Sequence, residues 1–92
     1  MKRIHGAKAI AQALQTAIAH HQRGDLASAR ALYQQILTQE PHHPDALHLL
    51  GLTDHQQGNS QAGLRAIQRA IELRPDDATF HFNLASNYSG QI

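Results

Sequence analysis

Sliding the chain against itself by 34 residues superposes its most informative positions. A period of that length restricts a chain to one supersecondary unit, repeated and stacked. Gly24 falls on Gly58, Pro41 on Pro75, Leu37 on Ile71 and Leu50 on Leu84. Ala17 falls on Gly51 and then on Ala85; small residues recur at Ala29 and Gly63, bulky ones at Tyr33 and Ile67. One unit covers about residues 10–43 and a second about 44–77. A third starts at Ala78 and reaches Ile92 less than half complete. Each full unit thus has small residues where two backbones can touch, a glycine at its middle and a proline at its end.

Within a unit the apolar spacing is helical. Ala13, Leu14, Ala17 and Ile18 share one face, as do Leu47, Leu50 and Gly51. Gly24-Asp25 ends the first helix, with Asp25 placed to cap the next, and Gly58-Asn59-Ser60 does the same in the second unit. The second helices carry Leu26, Ala29, Tyr33, Ile36 and Leu37, then Leu64, Ile67, Ala70 and Ile71. They stop at Glu40-Pro41 and Arg74-Pro75, because a residue before proline is pushed out of the α region. Pro44-Asp45 and Asp76-Asp77 open new helices. The pattern predicts an all-α chain with helices at about 7–22, 26–39, 45–57, 60–73 and 77–89, and no strands.

Composition removes several function classes. Eight Lys and Arg against seven Asp and Glu leave a formal charge of +1, too weak a field to recruit nucleic acid or anionic lipid. Without cysteine there are no disulfides, thiolate metal sites or thiol catalysis. No apolar run approaches the roughly 18 residues a membrane span needs. The opening Met-Lys-Arg-Ile-His-Gly lacks the apolar segment of a secretory signal, so a cytoplasmic setting is expected. Ser28, Ser60, Ser86 and Ser89 have no Gly-x-Ser-x-Gly context, and the glycines are spaced as turn and packing residues rather than as a phosphate loop. Asp25, Asp45, Asp76 and Asp77 read as helix-start residues, which leaves Asp54 as the one acid in a position that reads as buried. Arg65, Arg69 and Arg74 read as a solvated face. Neither catalysis nor a cofactor is expected.

Eight histidines invite a metal reading, with His5, His20, His21, His42, His43, His48, His55 and His81 as the candidates. Helical metal sites favour ligand pairs at i and i+4. No histidine pair has that spacing, and His48 and His55, seven apart, stand about 10.5 Å apart along a helix. No metal site is expected. Protonation of these imidazoles would instead make the surface they share cationic.

A 34-residue helix–turn–helix unit of this pattern resembles the tetratricopeptide repeat. Leu50-Gly51 and Leu84-Ala85 match its bulky–small pair on the first helix, and Tyr88 its aromatic three residues on. Gly24 and Gly58, Ala29 and Gly63, and Pro41 and Pro75 fit its turn, small-residue and closing columns. The segment from Ala78 to Tyr88 is close to the family's first helix. Thr16 departs from the bulky column, and His20 and Asp54 from the aromatic one, so either the first unit is looser or those polar groups find local hydrogen bonds. The resemblance implies two and a half units in a right-handed superhelix, acting as a protein–protein interaction scaffold. A narrower likeness, from Ala29 through Leu37 and from His43 to Leu52, is to repeats that precede O-linked N-acetylglucosaminyltransferase or sulfotransferase domains in bacterial proteins. It raises the alternative of a substrate-recruiting region of a larger enzyme.

By helical phase, the concave side implied by the resemblance carries Leu14, Ile18 and His21 in the first unit. It carries His48, Leu52 and His55 in the second, and Phe82, Asn83 and Ser86 in the half unit. The partner expected there is a protein or peptide, as an extended segment or an amphipathic helix. Family members that hold a peptide's terminal carboxylate do so with Lys, Arg and Asn, where this chain has Leu14 and Ile18, then Leu49, then Thr79 and Asn83; that clamp is absent. Asn83 matches the asparagine with which transferase-linked repeats hold a peptide backbone. Phe80, His81, Leu84, Ala85 and Tyr88 should form a face that a missing second helix leaves uncovered, predicting a homodimer centred on Tyr88. The alternative is that the last helix is a simple cap.

Overall fold

The computed structural model describes residues 6–88 and is built from five helices: α1 (Gly6–Gln22), α2 (Leu26–Gln39), α3 (Pro44–Gln56), α4 (Ser60–Leu73) and α5 (Ala78–Tyr88). Among the described residues there is no strand. His5 and residues 89–92 of the expected half unit lie outside them. The second helices span the residues expected; α1 begins one residue earlier, α3 is displaced by one residue at both ends, and α5 begins one residue later. Pro44 starts α3 itself, because its missing N–H would have had no helical partner.

The turns have local causes. Gly24 and Gly58 adopt φ of +81° and +91°, a region a side chain makes costly. The Ser28 N–H donates to Asp25 Oδ1 at 3.2 Å and the Phe80 N–H to Asp77 Oδ1 at 3.1 Å. His43 caps α3, its Nδ1 accepting from the Ala46 N–H at 3.1 Å, a role the sequence did not suggest for it. Asn59 sits at the start of α4 without making a side-chain cap bond.

α1 packs on α2 and α3 on α4 as hairpins; α2 then packs on α3, and α4 on α5. Ala17, Ala29 and Tyr33 are fully buried in the first hairpin. Leu47, Ala70 and Phe80 close the junction of the second hairpin with α5. Gly51 and Gly63 are where α3 and α4 come closest: a Cβ on Gly51 would lie 2.7 Å from the Gly63 carbonyl oxygen, and one on Gly63 would lie 2.5 Å from that of Gly51. The recurring small residues thus have a direct steric reason.

The three residues of the aromatic column each find a polar partner, His20 in the following turn and the other two on a different helix. His20 Nδ1 lies 3.2 Å from Asp25 Oδ2. Arg30 Nε donates to Asp54 Oδ1 at 2.7 Å, tying α2 to α3 through a carboxylate 4% exposed. The Tyr88 hydroxyl donates to the Ser60 carbonyl at 3.1 Å. Of the two polar departures in this column, His20 is met locally, whereas Asp54 is met by an arginine on another helix rather than by the local bond expected; among the described residues no buried side-chain polar atom lacks a partner.

Candidate functional site

The first helices of the three units, α1, α3 and α5, bound an open groove of about 340 Å³. Leu14 and Ile18 line it from α1, Asp45, His48 and Leu49 from α3, and Asp77, Thr79 and Phe80 from the start of α5. Leu14, Ile18 and Leu49 are half-buried, which leaves apolar surface facing outward. Leu14, Ile18 and His48 were expected here from helical phase. Leu49 and Thr79 stand at the family's clamp positions, and Asp45 and Asp77 were not expected here. Their signal lay in the 34-residue columns, since Asp45 stands over Thr79 at the entry of successive first helices.

The expected concave histidines are not free ligand-binding groups. His48 is 5% exposed, stacks on Phe80 with ring centroids 4.5 Å apart, and its Nε2 accepts from the Asn83 amide at 2.9 Å. It forms the groove's floor, not its open wall, and Asn83 is already engaged. His21 donates through Nε2 to Gln56 Oε1 at 2.7 Å, while its Nδ1 accepts from the Tyr33 hydroxyl at 3.3 Å. Burial pushes the Tyr33 phenol up to about 12, so it remains a donor at any working pH. His55 lies 3.2 Å from the Ser60 hydroxyl and against the Tyr88 ring, centroids 4.6 Å apart. Leu52 is half-buried and does not line the groove, while Phe82, at 68% exposure, and Ser86 are open to solvent.

The uncovered face expected on α5 needs a correction. Phe80 is 2% and Tyr88 1% exposed, because α4 and α3 already cover them from the near side. Among the five residues assigned to self-association, His81 and Ala85 are exposed and Leu84 is half-buried. The His81 ring is itself tied to the Pro75 carbonyl at 2.7 Å. Among the described residues, no group of three or more His, Asp or Glu converges as metal ligands would. No helix among them is long and apolar enough to cross a membrane.

Burial holds His48 below the ordinary imidazole value, partly opposed by the nearby Asp77 and Asp45 carboxylates. At pH above about 6.5 the ring is neutral in both folded and unfolded chains and contributes no pH dependence. As pH falls below that value the unfolded chain takes a proton the folded chain resists, so stability declines, by at most about 1.4 kcal/mol per pH unit. A protonated Nε2 would also face the Asn83 amide donor. Urea melts at pH 7.5 and 5.5 should show a larger loss for the native chain than for His48→Gln, which keeps an acceptor but does not titrate.

Stacked hairpins with small residues at their contacts, a glycine in each mid-unit turn and a proline closing each unit define a helical-repeat protein. The chain belongs to the tetratricopeptide repeat family, whose model matches residues 20–87. It is 32% identical over 66 residues to the PEX5-related proteins of Mus musculus and Homo sapiens. The match covers 72% of this chain but only 12% of the mouse relative and 10% of the human one. The chain therefore spans about a tenth of the length of these curated relatives, and its fold is that of a protein-interaction module.

Proposed function

We propose that the chain docks an extended peptide segment of a protein partner along the side formed by α1, α3 and α5. One observation carries this reading: the groove offers outward-facing Leu14, Ile18 and Leu49 side by side, with no helix among the described residues laid over them. Apolar surface of this kind gains about 25 cal/mol per Å² when covered. Backbone hydrogen bonds cannot supply the affinity, because every neighbouring element is a helix with its own bonds satisfied. Side-chain pockets must do so. Leu49→Glu and Ile18→Glu should each weaken a bound peptide at least tenfold while the helical circular dichroism stays unchanged. Unaltered affinity in both would overturn the reading.

Self-association is supported only by the outer side of α5, where His81 and Ala85 are exposed and Phe82 projects nearby. Sedimentation at high micromolar concentration reads it directly, and a monomer there removes it. The transferase context rested partly on Asn83, whose amide is already given to His48; the docking reading does not need it.

A further inference from the structure

We propose that the segment this groove takes carries an apolar side chain beside a cationic one, Lys or Arg, and that Asp45 and Asp77 receive the cation. The inference rests on the docking reading above and adds the chemistry of the ligand. Both carboxylates line the groove beside Leu49 and Phe80, and both lie against Arg74, which puts them at the same end. Their side chains remain 40% and 23% exposed. Arg74 is their one cationic neighbour among the described ion pairs, 3.3 Å from Asp45 and 3.8 Å from Asp77. One guanidinium against two carboxylates leaves a net charge of about −1 at the groove's end.

The second carboxylate is not used up by the fold. Asp77 Oδ1 accepts from the Phe80 N–H, while Oδ2 has only Arg74, beyond hydrogen-bonding distance. Both acids also act on His48 across the groove floor, favouring its protonated form, so their negative field reaches the space a ligand would fill. Among the described residues no Lys or Arg lines the groove, and His48 is held toward its neutral form. An apolar side chain over Leu14, Ile18 and Leu49 with a cation at Asp45 and Asp77 therefore matches the site in both hydrophobicity and charge.

The test is a selection from random octapeptides displayed inside a fixed loop, so that no free terminus contributes. The enriched sequences should place Lys or Arg next to Leu, Ile, Met or Phe. The affinity of the best of them should fall about tenfold when its cation is replaced by Glu. It should fall about threefold to fivefold in the chain carrying Asp45→Asn and Asp77→Asn, substitutions that keep the cap of α5. Arg74→Gln should change it the other way, tightening it about twofold to threefold, an effect that general damage to the fold would not produce. Enriched peptides that are neutral or acidic, and that still depend on Leu49, would overturn the charge inference and leave the docking reading standing. Selection of no peptide at all, or of peptides indifferent to Leu49→Glu, would overturn both.

Discussion

Phe80→Ala should cost about 3–5 kcal/mol of folding free energy, which lowers the midpoint of a thermal melt by at least about 12 °C for a chain of this size. The ring is 2% exposed, packs with Leu47 and Ala70, and stacks on His48. It is also the main apolar anchor of α5, a helix that touches only α3 and α4 closely. Removing it should therefore uncouple α5 before the rest of the chain unfolds. Amide hydrogen exchange should show protection lost from Phe82 to Tyr88 while α1 and α2 keep theirs. His48, no longer covered, should lose its resistance to protonation, and the stability difference between pH 7.5 and 5.5 should shrink with it. A melt within a few degrees of the native one would mean that α5 is held by something other than this ring.

Gly63→Ala should be destabilising by about 2 kcal/mol, against the direction set by helix propensity. In an exposed helix the same change is favourable by about 1 kcal/mol, because alanine restricts the unfolded backbone and suits the helix. Here the new methyl would lie 2.5 Å from both the Gly51 carbonyl oxygen and the Tyr88 hydroxyl, and 3.1 Å from the His55 nitrogen. Backbone on two sides cannot yield as a flexible side chain would, so α3 and α4 must separate. That movement strains the Tyr88 bond to the Ser60 carbonyl and loosens the seat of α5. Thermal denaturation should register a fall of about 10 °C, whereas Gln61→Ala, two residues earlier and exposed, should change little. A stabilised Gly63→Ala would show that the two helices do not meet at this seam.

The candidate site was only partly legible in the sequence. Helical phase gave the side of α1 and α3 on which Leu14, Ile18 and His48 lie, but not which of them stays open. His48 is covered by Phe80 and Asn83, and His21 by Gln56, a residue 35 positions away. A side chain's phase on its own helix says where it points; its accessibility depends on what a different helix places against it. Asp45 and Asp77 were read only as helix-start residues. Their convergence at one end of the groove depends on how α3 and α5 sit together, which no local pattern encodes. The same reason explains Phe80 and Tyr88: a missing second helix was expected to leave them bare, yet α4 covers them from the other flank.

By itself the sequence determined the five helices, their order and their turns. Glycine at positive φ, proline before or at a helix start, and apolar spacing all act within a few residues of themselves. It also determined the seams, since Gly51 and Gly63 can have no function in a helix except to let another backbone approach. Only the tertiary structure decided which histidines are spent on internal hydrogen bonds, which aromatic rings are covered and where two carboxylates gather. Those outcomes depend on contacts between different elements, up to 35 residues apart, where small differences in packing choose the partner.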